Sequence, residues 1–144
     1  MNERSTSELT EVLLSSSLGS LEDYQKSCLD SLQNLSFPEY FLSVLPDHGI
    51  SRSEAIADSG LEIHYAYQIL NGSRHPTRDK ILCLCIGGRF SLLETNRALE
   101  RAFLGRLYPK RMRDAIIMIA LNRRISAVWQ VNELLAEYGE PLLN

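Results

Sequence analysis

A chain of 144 residues in which 44% of side chains are hydrophobic can bury one core, with or without a small appendage, and needs no disulfide or metal staple. The net charge of −3 supplies no overall attraction to phosphate, but it is unevenly divided: residues 1–62 hold 3 basic and 11 acidic groups, residues 63–144 hold 12 and 7. Cys28, Cys83 and Cys85 are odd in number and read as reduced, core-like thiols, and the longest apolar run, Ala115 to Leu121, is too short to span a bilayer, so a soluble cytoplasmic protein is expected, with no membrane partner.

Residues 1–35 read as an acidic, serine-rich helical arm. Leu9, Val12 and Leu13, then Leu21, Tyr24, Cys28 and Leu32, give two short helical patterns broken at residues 15–19. Ser36-Phe37-Pro38-Glu39 is a capping box with proline in the first turn. Phe37, Tyr40, Phe41, Val44 and Leu45 then share one helical face, and Pro46 and Gly49 end that helix.

Ser51 and Glu54 make a second capping box, which predicts a helix from Arg52 to Ser59 that stops at Gly60. The next helix is predicted over residues 63–70 and closes at Asn71-Gly72. Tyr65, Ala66 and Ile69 form its apolar side, and His64, Tyr67, Gln68 and Asn71 form a polar stripe at spacings of three and four.

The rest of the chain repeats itself. Arg78 to Ile86 aligns with Arg113 to Leu121 at an offset of 35 residues, and the same offset pairs Arg89 with Arg124, Ser91 with Ser126, Leu99 with Leu134, Phe103 with Tyr138 and Leu107 with Leu142. Each unit reads as helix, turn, Ser-capped helix, with turns at Gly87-Gly88 and Asn122-Arg123. Two units are too few for a free-standing solenoid and are expected to pack on the helices before them. Arg101 to Arg124 carries seven basic groups and one acid, Asp114, a cluster suited to phosphate or to an acidic segment. Trp129 lies in an apolar run and is expected in the core or in a dimer contact.

His48, His64 and His75 lack metal-ligand spacing, no glycine-rich loop follows a strand, and the carboxylates are scattered on polar faces. Neither an enzyme nor a metal or other cofactor is expected.

Ser51, Arg52, Gly60, Gln68, Gly72 and Pro76 carry a resemblance. In order and spacing, residues 36–99 resemble the Cro and phage-repressor (XRE-like) helix-turn-helix domain. The resemblance implies an all-α, five-helix lambda-repressor-like fold, with added helices before it in residues 1–35 and after it in residues 100–144. It also implies a transcriptional regulator, commonly a repressor, that binds double-stranded DNA as a homodimer with helix 63–70 in the major groove. Matched position by position, base-edge contact falls to Ile63, His64, Tyr67 and Gln68, and phosphate contact to Ser51, Arg52, Asn71, Arg74, His75 and Arg78. Gln68 suits bidentate contact to adenine, and Ile63 suits a thymine methyl. Glu62 stands where the family usually has a small hydroxyl cap, and Leu45 and Leu70 stand where it often has an Arg–Glu pair; these two leucines are expected to meet.

The last helix, with Val128, Trp129, Val131, Leu134, Leu135 and Tyr138, is the expected dimer surface. A rival reading is a helical adaptor, possibly antitoxin-like, that keeps the fold and recruits a protein partner through the C-terminal helices or the acidic arm.

Overall fold

In the computed structural model the described residues are 35–144, and the two helices expected in the N-terminal arm lie outside them. Among the described residues there are seven α-helices and no strand. Ser36–Asn144 makes one compact unit.

Local sequence sets the helix ends. α1 (Phe37–Val44) starts at Ser36, whose hydroxyl accepts the Glu39 N–H, and tightens into a 3-10 turn over Leu45–His48 that Gly49 leaves at φ 66°. α2 (Arg52–Ser59) has a complete capping box: Ser51 Oγ accepts the Glu54 N–H at 3.1 Å, and Glu54 accepts the Ser51 N–H at 3.3 Å. Gly60 ends α2 at φ 72°, a conformation that strains residues with a Cβ. Leu61 and Glu62 complete the turn into α3 (Ile63–Leu70). The bounds of α2 and α3 are those expected from sequence. Thr77 caps α4 (Arg78–Gly87), and a Ser91–Glu94 capping box opens α5 (Leu92–Arg101). α6 (Met112–Asn122) and α7 (Val128–Glu137) begin without a side-chain cap.

α4 lies at the centre. Ile81 to Gly87 are all buried, and a helix apolar on every side needs cover on every side, which α2, α5 and α7 provide. The tightest approach is to α2: a Cβ on Gly87 would run into the Ala55 carbonyl oxygen and stand 2.8 Å from the Ser59 nitrogen. Gly87 therefore serves backbone contact between helices, and the turn after it is made by Arg89 at φ 62°. Phe41 and Phe90 stack at 5.0 Å between ring centroids and tie α1 to that turn. His48 Nε2 lies 2.8 Å from Glu94 Oε1, which pins the 3-10 turn to the start of α5. Leu45 and Leu70 are both buried.

α4–α5 and α6–α7 are two copies of one unit, with one change of register. Arg89 and Arg124 are both left-handed, and the next N–H in each copy returns to the carbonyl five residues back, Phe90 to Cys85 and Ile125 to Ala120. Beyond this turn the offset becomes 36. Asn96 Oδ1 accepts the Leu107 N–H at 2.9 Å as Asn132 Oδ1 accepts the Leu143 N–H at 2.7 Å, and Phe103 and Gly139 occupy matching left-handed positions. The expected pairs Leu99–Leu134, Phe103–Tyr138 and Leu107–Leu142 are thus corrected to Leu99–Leu135, Phe103–Gly139 and Leu107–Leu143. The extra residue falls just before α7, so Ser126 does not cap that helix; Ala127 holds the cap position and offers no side-chain oxygen.

Exchanged ion pairs lock the copies together. Arg78 grips Asp114 with two hydrogen bonds of 3.1 and 2.9 Å, and Arg113 grips Asp79 with two of 2.9 Å. Each guanidinium also donates to two carbonyls at the end of its own unit, Arg78 to Gly105 and Arg106, Arg113 to Pro141 and Leu142. Burial pushes the Asp114 carboxyl up, but Arg78 and the Tyr108 N–H together hold it below the ordinary aspartate value. No helix among the described residues is long and apolar enough to cross a membrane.

Candidate nucleic-acid interface

The turn at Gly60–Glu62 presents the outer side of α3. Ala66, Ile69 and Leu70 are buried, Tyr65, Tyr67 and Gln68 are half-buried, and Ile63 and His64 are exposed, Ile63 at 53%. The four residues expected at base edges therefore share one accessible side, and Tyr65 lies less deep than its apolar assignment implied. Glu62 caps α3 by accepting the His64 and Tyr65 N–H groups at 3.1 and 2.8 Å. Those two bonds, Tyr65 first, lower its carboxyl pKa, so the α3 N-terminus carries a carboxylate.

Gln68 is held in place. Its side-chain oxygen accepts Arg74 Nε at 2.7 Å, and because arginine has only donors, the bond fixes which end of the amide is oxygen. The amide N–H groups and the second lone pair stay available for a ligand. Arg74 lies 5.3 Å from the Tyr65 ring centroid and Arg52 lies 6.0 Å from that of Tyr67, so both cations rest against aromatic rings on α3.

The residues expected at phosphates divide into two groups. Arg52, Arg74 and His75 are exposed around the α3 face. Ser51 and Asn71 are exposed as well, but each first serves the backbone: Ser51 caps α2, and Asn71 Oδ1 accepts from the Ser73 N–H and hydroxyl at 2.9 and 2.6 Å. Arg78 departs from the expectation. Its guanidinium spends four bonds on Asp114, Gly105 and Arg106, and an arginine so engaged positions other groups rather than meeting a phosphate itself.

The basic cluster of residues 101–124 is likewise sorted by its partners. Arg113 is turned inward to Asp79, and Arg101 stacks 4.3 Å from the Tyr40 ring centroid. Arg106, Lys110, Arg111, Arg123 and Arg124 remain exposed. On α7, Val128, Val131 and Leu135 belong to the core, whereas Trp129 is 63% and Tyr138 62% exposed, so Trp129 is not a core residue. Those two aromatics are nine residues apart, half a turn out of phase, and the expected dimer surface does not form one continuous stripe.

A groove of about 740 Å³ runs between the α2–α3 turn and α7, lined in part by Glu62, Tyr65, Lys80, Cys83 and Trp129. Burial pushes the Cys83 thiol up to about 12, which leaves it protonated and unreactive. Comparison of the chain with protein-family models, with curated proteins and with solved structures found no match.

Proposed function

We propose that this chain is a sequence-specific, DNA-binding transcriptional regulator of the cytoplasm, not an enzyme, with α1–α5 as a five-helix, lambda-repressor-like domain. α3 enters the major groove, and two copies read two half-sites about one helical turn or more apart. The observation that carries this reading is the oriented Gln68 amide on the open side of α3, held by Arg74 beside Ile63, His64 and Tyr67. A short helix after a tight glycine turn fits B-DNA's major groove, and an amide with a fixed plane is prepared for bidentate contact to adenine. Ser51, Arg52, Asn71, Arg74 and His75 surround that side as phosphate contacts that set register.

The alternative, a helical adaptor, draws support from a different observation. Phe103 is 97% exposed at φ 59°, where the second copy has Gly139, and an exposed aromatic in a backbone state that suits glycine gains nothing from its own chain. Selection from genomic DNA fragments, followed by a salt series on any enriched site, separates the two. A regulator enriches a defined site and loses affinity steeply as salt rises. Absence of enrichment at low salt removes the DNA reading and leaves the adaptor.

A further inference from the structure

Arg78 joins two loops that are far apart in sequence. It opens α4, directly after the loop that holds Arg74 and His75, and its Nε and Nη2 donate to the carbonyls of Gly105 and Arg106 at 3.1 and 3.0 Å. The loop between α5 and α6 is thereby tied to the first residue of α4, which follows the Arg74–His75 loop in the chain. Asp114, from the second unit, holds the same guanidinium and also accepts the Tyr108 N–H at 2.9 Å, so the middle of the loop is held from both units.

The result is an open groove of about 480 Å³ lined by Arg78, Gly105, Arg106, Tyr108, Arg111 and Asp114. Three guanidinium groups face one carboxylate there, and that carboxylate is already neutralised by Arg78. Arg106 and Arg111 are exposed, Lys110 stands beside them, and Arg106 pairs with Glu100 at 2.9 Å through two side chains about half exposed to water. Such a pair is weak and exchanges readily for a phosphate. We infer that this groove, formed where the two units join and latched by Arg78, is an accessory phosphate site in which Arg106 and Arg111 grip the DNA backbone next to the stretch read by α3. Duplex DNA carries a charge about every 1.7 Å along its axis, so a cationic groove adjoining the α3 rim meets the same duplex.

This inference rests on the DNA reading of α3, and its test keeps the two apart. The full chain and its Arg106→Ala/Arg111→Ala variant are titrated with a mixed-sequence duplex of about three helical turns across a range of salt concentrations. Removal of two phosphate contacts should lower the slope of log affinity against log salt by about 2 and weaken binding about tenfold, with the base preference of the selected site unchanged. The Arg106→Lys/Arg111→Lys variant should keep most of the slope. Wild-type binding with an unaltered slope in the alanine variant overturns the accessory site alone. A changed base preference in that variant also overturns it, because the groove is assigned to backbone only. Failure of the wild-type chain to bind any duplex at low salt overturns the α3 reading and the groove with it. Thermal unfolding of the variants, whose altered side chains are exposed, shows whether the fold is kept.

Discussion

The two helical units between Arg78 and Asn144 share a plan but differ in how it is finished. In the first, α4 is enclosed by neighbours on all sides, Gly87 lets α2 approach to backbone contact, and α5 opens with a full capping box. In the second, Asn122 stands at the Gly87 position, Ile119 is 49% exposed where Leu84 is buried, and α7 opens on an uncapped Ala127. A repeated sequence therefore takes its detail from its surroundings: the copy that must receive α2 carries the constraints, and the copy at the edge is released from them.

The largest expected effect breaks this comparison at its tightest point. Gly87→Ala places a methyl group against the α2 backbone and should destabilise the protein by about 3 kcal/mol, while Asn122→Ala should change stability by under about 0.5 kcal/mol, both read by chemical denaturation. Equal effects would mean that α4 and α6 are under the same constraint.

Next come the exchanged ion pairs. Asp114 is almost fully buried and serves both Arg78 and the Tyr108 N–H, whereas Asp79 is about a quarter exposed and serves Arg113. Asp114→Ala should cost about 2 to 3 kcal/mol, less than a fully buried pair because Arg78 is partly in water, and Asp79→Ala about half as much. The Asp114 carboxyl lies below its ordinary value in the folded protein. Its stabilising contribution is thus present above the ordinary aspartate range, near pH 3.9, and is lost as pH falls through the lower folded value. The stability gap between wild type and Asp114→Asn should accordingly narrow in acid; a gap that is flat with pH would contradict the pairing.

The smallest effect concerns the caps. Ser91→Ala should cost about 1 kcal/mol, and Ala127→Ser should return up to about that amount to α7, as measured by thermal unfolding.

The helix ends that depend on local chemistry were legible in the sequence. Ser51, Glu54 and Gly60 act within a few residues of themselves, so local sequence bounds α2 and α3. The doubled Arg-Asp start was visible as a pattern, but its meaning was not: Arg78 was expected at phosphate because its partner, Asp114, is 36 residues away in sequence. The inserted residue before α7 was hidden for a similar reason. Leucines recur so often in amphipathic helices that Leu134 and Leu135 fit the repeat equally well, and the Asn132–Leu143 bond together with left-handed Gly139 shows which is in register. Of the two places expected for Trp129, core or dimer contact, its exposure removes the core, because an apolar run does not reveal which flank of its helix remains uncovered. The candidate site was legible as a set of residues, while the Arg74–Gln68 bond that orients it depends on the path of the loop at Gly72.

The central claim, that α3 reads bases through Gln68, is tested most directly by comparing wild type and Gln68→Ala on the selected site and on a scrambled duplex at one salt concentration. The account predicts that the ratio of the two affinities falls by about 5- to 150-fold in the variant, with binding to the scrambled duplex little changed. An unchanged ratio would contradict it.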